Sequence, residues 1–232
     1  ALIIQALSQA KIDLNNLSEA RDTQTMMRLL ESDAEELNVL DAGTTMRFLL
    51  AYCTVARPGR VLKGTARMHQ RPVKLLVDAL NQLGAELKYL ENDGFPPVLV
   101  EGFPEGQQQA AVSIRGDVSS QYISALLMIA PTLPKGLKLT LEGKIGSRPY
   151  ISMTLGLMAR FGISYLWEGN VITVAPQAYQ AGQYTIESDW SGASYWYSLV
   201  ALADDAEVKL LGLRKDSLQG DIAIVEIMEK LG

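Results

Sequence analysis

Three stretches share one arrangement of polar and apolar positions: LDAGTTMRFLLAYCTVA (40–56), GDVSSQYISALLMIAPTL (116–133) and SDWSGASYWYSLVALAD (188–204). Each opens on an acid (Asp41, Asp117, Asp189), passes through small or hydroxyl residues, and runs on as an apolar segment that predicts a buried helix. The acids are 76 and 72 residues apart, the signature of an internal repeat. A strand-like segment ending in glycine follows each helix: RVLKG, LKLTLEG and EVKLLG, closing at Gly64, Gly143 and Gly212. An arginine-bearing loop then leads into a second helix, predicted to stop at Gly84, Gly162 and Gly232, as glycine does just past a helix end. Hairpins are expected at Asn92-Asp93-Gly94 and Glu168-Gly169-Asn170 in the first two copies. With a strand leading in, the unit reads βαβαββ, an α/β architecture.

The pattern at the ends predicts a fragment of a longer protein. The opening ALIIQALSQAKIDLNNLSEARDTQTMMRLLES reads as a unit entered midway through its first helix, and the last copy has no hairpin. Residues 1–187 are expected to form one nearly complete domain of three units without its N-terminal edge. Residues 188–232 are expected to be the truncated start of a second.

Composition narrows the ligand. Lys and Arg total 21 against 26 Asp and Glu, a net charge of -5, which leaves no general basic surface for nucleic acid. No apolar run reaches the roughly 20 residues of a membrane helix. The single cysteine, Cys53, cannot form an internal disulfide and reads as a packing residue, which suits a reducing cytoplasmic setting. With one histidine, His69, a metal centre is not expected, and His69 reads as an exposed loop residue. The aromatic run Trp190, Tyr195, Trp196 and Tyr197 reads as helix-face packing. The expected partners are small molecules, and the expected state is a cofactor-free monomer.

The helix starts carry the chemistry. A helix N-terminus presents unpaired N–H donors and about half a positive charge, a ready site for phosphate or carboxylate. Ser119, Ser120 and Gln121 add donors at one such start; Gly43, Thr44 and Thr45 hold the equivalent place one unit earlier. Arg47, Arg67, Arg71 and Arg148 lie near these starts or in the loops feeding the second helices. Cations gathered there, against the helix dipole, point to an anionic ligand that supplies the missing charge.

At these residues the chain resembles the 5-enolpyruvylshikimate-3-phosphate synthases of the enolpyruvyl transferase family. The resemblance is carried by DAGTTMR (41–47), ARMHQRPVKLLVDALNQLGAE (66–86), GDVSSQYISALLMIAP, SRPYISMTLGLMARFGI (147–163), ESDWSGASYW (187–196) and KDSLQGDIAIVEIMEKLG (215–232), in the family's order. It implies an inside-out α/β fold of two domains, each of three βαβαββ units with helix N-termini directed at an interdomain cleft. It also implies transfer of the carboxyvinyl group of phosphoenolpyruvate to the 5-hydroxyl of shikimate 3-phosphate, a shikimate-pathway step inhibited by glyphosate. By that resemblance Gly43, Arg67 and Gln121 contact phosphoenolpyruvate. Ser119, Ser120, Gln121, Ser147 and Tyr150 contact shikimate 3-phosphate, with Arg47 and Arg148 as supporting cations. The family's proton-transfer groups are expected outside this chain, so no catalytic residue is assigned.

The sequence departs from the family pattern at Asp41 (usually Asn), Thr45, Phe48, His69 and Gln70. Asp41 places a negative charge beside an anion site unless an arginine offsets it. The alternative readings are a UDP-N-acetylglucosamine 1-carboxyvinyltransferase, which lacks the SSQY and SRPYI patterns and carries a reactive loop cysteine, and a non-catalytic anion-binding domain.

Overall fold

The computed structural model of the chain describes residues 1–105 and 108–231. Two complete repeat units stand out. In the first, β2 (Glu36–Asn38), α3 (Gly43–Ala56), β3 (Arg60–Lys63), a 3-10 turn (Met68–Gln70), α4 (Lys74–Gln82), β4 (Glu86–Tyr89) and β5 (Val98–Gly102) follow in order. Their sheet has the order β2-β3-β5-β4. β2 and β3 are parallel, which requires a crossover, and α3 supplies it; β4 and β5 form an antiparallel hairpin beside β3.

The second unit repeats this path with β6 (Ala111–Arg115), α5 (Ser120–Ile129), β7 (Leu137–Glu142), α6 (Arg148–Arg160), β8 (Leu166–Glu168) and β9 (Val171–Val174), in the order β6-β7-β9-β8. The same sequence pattern has produced the same topology twice.

The flanking segments are α1 (Leu2–Leu7), β1 (Ile12–Asn15) and α2 (Arg21–Glu31) at one end, with β10 (Gly182–Thr185), α7 (Trp190–Ala201) and α8 (Ile224–Leu231) at the other. β1 pairs in parallel with β10 from Ile12↔Gly182 to Asn15↔Thr185, closing the chain on itself.

The helices lie inside and the sheets outside. α3 is buried along ten of its residues, and α5 from Tyr122 to Ile129, as expected of helices apolar on every side. The strands alternate instead, with β6 exposed, buried, exposed, buried, exposed, so each sheet turns one face to the helices and one to water. One continuous core runs from Ile3 to Tyr179.

Most predicted boundaries agree with these elements. Gly84 (φ +97) and Gly162 (φ +84) end α4 and α6 in the left-handed region. Ala85 N–H donates to Leu80 O (3.1 Å) and Ile163 N–H to Met158 O (3.1 Å), closing the last turns. Gly232 lies outside the described residues. The second hairpin turns at Gly169-Asn170, as the sequence indicates. The first is wider, running from Tyr89 to Val98 around Asn92-Asp93-Gly94, because Pro96 and Pro97 have no N–H to donate to a ladder.

Two expectations are corrected. EVKLLG is not a strand: among the described residues no neighbouring strand pairs with it, and Leu211 is 72% exposed. Only Ser188 N–H, donating to Gly212 O (2.9 Å), marks where a ladder begins. The aromatic run is not uniform packing either. Trp190 is buried and its indole N–H donates to Glu187 (2.8 Å), whereas Tyr195 is 73% exposed, because the apolar side of α7 extends beyond the surface offered by a second 3-10 turn (Gly220–Ala223) and α8.

Candidate functional site

The first residues of α3, α5 and α6 come together because α3 packs on α5 and α5 on α6. Leu40 adopts a left-handed conformation (φ +58), an unusual one for a bulky residue, where the chain turns from β2 toward α3. Leu40 N–H donates to Asn38 Oδ1 (2.9 Å), and Thr65 N–H donates to Leu40 O (2.9 Å), fixing that turn against the arginine loop. The Arg71 guanidinium then lies directly against Gly43. A β-carbon built on Gly43 would overlap it, and Arg71 Nη1 donates to Asp41 O at 3.2 Å. A guanidinium docked beside a helix N-terminus opposes the dipole, so the two together form a strongly electropositive point.

The α5 and α6 starts meet through their glycines. Gly146 N–H donates to Gly116 O (3.0 Å), and a side chain on Gly116 would press on the carbonyls of Glu142 and Lys144. Ser119 caps α5, accepting from Gln121 N–H at 3.4 Å, and is exposed; Ser120 and Ser147 are half-buried. Ser147 stands at the α6 N-cap with no side-chain cap bond. Tyr150, 42% exposed on the first turn of α6, donates its hydroxyl to Asp221 Oδ2 at 3.1 Å. That hydrogen bond to a carboxylate, with some burial, raises the Tyr150 pKa and keeps the phenol a donor.

Gln121 joins the two groups. Its Nε2 donates to Thr44 Oγ1 (3.0 Å), and its Oε1 accepts from Arg47 Nη1 (3.0 Å), so its carboxamide spans the starts of α3 and α5. Arg47 is only 7% exposed. Nη1 also donates to Gly43 O (3.0 Å), the guanidinium lies 5.2 Å from the Tyr122 ring centroid, and Nε has no partner. Among the described residues no carboxylate pairs with Arg47, an unusual state for a buried charge.

The remaining candidates fall outside this cluster or are already engaged. Arg67 is exposed at the start of the 3-10 turn, with no side-chain hydrogen bond among the described residues; Arg71 holds the place against Gly43. Arg148 stacks over Trp167 at 4.4 Å. The Asp41 carboxylate has Arg21 at 3.6 Å, which offsets its charge. Asp117 is held below the usual carboxylate range by hydrogen bonds from Arg115 (2.9 and 2.7 Å). His69 is not an exposed loop residue: it is half-buried because Nε2 accepts from Gly64 N–H (3.3 Å) while Nδ1 faces Glu91 at 3.6 Å. Burial pushes the Cys53 thiol up to about 12, which removes it as a nucleophile.

Two contributors were hard to find by sequence. Arg71 and Arg67 bracket the same loop and are equivalent as letters; only the 3-10 turn decides which faces Gly43. Tyr122 reads as one more apolar residue of α5, yet its hydroxyl donates to Pro72 O (2.8 Å).

No helix among the described residues is long and apolar enough to cross a membrane. The sequence profile of the family described as EPSP synthase (3-phosphoshikimate 1-carboxyvinyltransferase) matches residues 1–232. A 3-phosphoshikimate 1-carboxyvinyltransferase of Bacteroides fragilis (strain YCH46) is 48% identical over 233 aligned positions, covering 100% of this chain and 56% of that protein. The protein of the same name from Idiomarina loihiensis is 40% identical over 263 positions, covering 100% of this chain and 60% of the relative. The chain thus spans little more than half the length of these relatives. Among solved structures, EPSP synthase from Acinetobacter baumannii superposes with a TM-score of 0.79 at 18% identity, covering 100% of this chain and 57% of that one. The repeated topology, the electropositive helix starts and these matches lead to one conclusion: the chain belongs to the EPSP synthase family.

Proposed function

We propose that the helix starts form the anion-binding half of a carboxyvinyl transferase site. Phosphoenolpyruvate takes the place bounded by Gly43, Arg71, Arg47 and Gln121. The phosphate of shikimate 3-phosphate takes the place bounded by Ser119, Ser120, Ser147 and Tyr150. The observation that carries this reading is Arg47, a buried cation with an unpartnered Nε and no carboxylate, set beside a second arginine at a helix N-terminus. Such a cluster is stabilised by a bound anion. Family membership and the names of the relatives favour these two substrates over a UDP-sugar or a purely structural role.

In the reaction, the 5-hydroxyl oxygen bonds to C2 of phosphoenolpyruvate while C3 gains a proton and the hydroxyl loses one. Loss of phosphate and of a C3 proton then restores the double bond. The residues described here bind and orient; their cations and helix dipoles offset the carboxylate and phosphate charges as they are brought close. We assign no proton-transfer group to this chain. Residues 1–187 and 188–231 belong to separate units in this reading, since the continuous core ends at Tyr179 while α7 and α8 pack on each other.

Calorimetric titration of the chain with shikimate 3-phosphate and with UDP-N-acetylglucosamine is the test. Saturable binding of the first alone, weakened in Ser120→Ala, supports the proposal. Failure to bind shikimate 3-phosphate, or preference for the UDP-sugar, overturns it.

A further inference from the structure

Tyr122 touches neither proposed ligand place directly, yet it reaches both groups of residues. It follows Gln121 on α5, is 6% exposed, and donates its hydroxyl to Pro72 O at 2.8 Å, a contact between the two repeat units. Pro72 directly follows Arg71. The neighbouring backbone is held on both sides, Arg71 N–H donating to Met68 O (3.0 Å) and Val73 N–H to Gly94 O (2.9 Å). The Pro72 carbonyl is therefore where α5 grips the loop that delivers Arg71 to Gly43. The face of the same ring lies beneath the Arg47 guanidinium, an environment that favours a cation lacking a carboxylate.

We infer that Tyr122 is a positioning residue for the phosphoenolpyruvate place: its hydroxyl sets the Arg71 loop relative to Gln121, and its ring seats Arg47. The inference rests on the assignment of the two ligand places above. A phenol that merely satisfies its own hydrogen bond would support the fold and affect both ligands alike. A positioning residue acts on one ligand, through one arginine.

Tyr122→Phe keeps the ring and removes only the hydroxyl. Calorimetry on the 232-residue chain should show phosphoenolpyruvate binding about tenfold weaker, with shikimate 3-phosphate binding changed less than about twofold. In an Arg71→Lys background the same change should add less than about twofold, because the two residues act as one unit. Amide hydrogen exchange at Arg71 and Val73 should accelerate while exchange along α5 does not. Equal weakening of both ligands, additive effects, or unchanged exchange at Arg71 and Val73 overturns the inference. If the unaltered chain binds neither ligand, the assignment of the ligand places fails, and the exchange measurement by itself still decides whether Tyr122 holds the loop.

Discussion

Arg47 and Gln121 show how much of this site is held by single side chains. Gln121 supplies Arg47 with a neutral acceptor (3.0 Å) where a carboxylate would cancel its charge and leave nothing to attract a ligand. Gln121→Ala should lower stability by about 1 to 3 kcal/mol, since a buried guanidinium loses a partner, and should weaken both phosphoenolpyruvate and shikimate 3-phosphate. Urea denaturation and calorimetry report the two effects, and unchanged affinity for both ligands refutes the bridging role. Gly43→Ala tests the other side of the cluster. Its β-carbon would displace the Arg71 guanidinium, the flexible end of a side chain, so the fold should survive while phosphoenolpyruvate binding falls about tenfold. Cys53 is expected to be silent toward iodoacetamide at pH 8 in the folded chain and to react once the chain is denatured. Its thiol ionises near 9.0 when unfolded and at about 12 when buried. The folded state therefore binds more protons between those values. The thiol's contribution to stability is complete below 9.0 and declines as pH rises toward 12. Alkylation of the folded chain at pH 8 would contradict this.

Among the elements, α5 is the one on which the site depends most. Ile123, Leu126, Leu127 and Ile129 are each 0% exposed, so the helix cannot slide or rotate without opening the core, and its first turn is fixed in place. Leu127→Ala should cost about 2 to 5 kcal/mol in urea denaturation, through lost burial and the cavity left behind. The helix caps should rank differently. Asp189 caps α7 with two bonds of 3.0 Å, to Ser191 and Gly192, whereas Ser119 caps α5 with one of 3.4 Å. Removing the Asp189 side chain should therefore destabilise its helix by about 1 kcal/mol, and Ser119→Ala by less. A larger stability loss for Ser119→Ala would show that its hydroxyl serves the fold; a small loss with weakened phosphate binding fits a hydroxyl left free for a ligand. The three acids of the repeat were equivalent in the pattern but not in the structure: Asp189 caps, Asp117 pairs with Arg115, and Asp41 faces Arg21.

At the scale of the whole molecule, the net charge of -5 contrasts with a local concentration of arginine at the helix starts. An open site of this kind is screened by salt, with a Debye length of about 10 Å at 0.1 M, so shikimate 3-phosphate affinity should fall steeply as salt is raised. Isothermal titration across a salt series checks this, and a flat response would argue that the ligand is bound by hydrogen bonds alone. Beyond the core, α7 exposes Tyr195 and Leu199, while Trp196 and Leu231, with Trp190, Val208 and Met228, line a cavity of about 810 Å³. If the helix starts bind and orient both substrates as proposed, with the proton-transfer groups supplied from elsewhere, the 232-residue chain should release no phosphate from them. A phosphate-release assay measures it directly, and turnover by the chain would require an acid and a base among its own residues.

The sequence by itself determined the repeat, the element order of both complete units, the glycine helix stops at Gly84 and Gly162, and the helix starts that carry Gly43, Ser119 and Gln121. Those features are local: periodicity, turn chemistry and end signals act within a few residues. The tertiary structure decided what depends on which surfaces meet. It turned Arg71 rather than Arg67 onto Gly43, stacked Arg148 on Trp167, and gave Arg47 a carboxamide instead of a carboxylate. It also left EVKLLG without a partner strand among the described residues, because β-rich composition makes a strand only when another strand completes its hydrogen bonds. The Tyr122 hydroxyl is the clearest case: its partner at Pro72 is 50 residues away, and only the packing of α5 against the preceding unit brings the two within 2.8 Å.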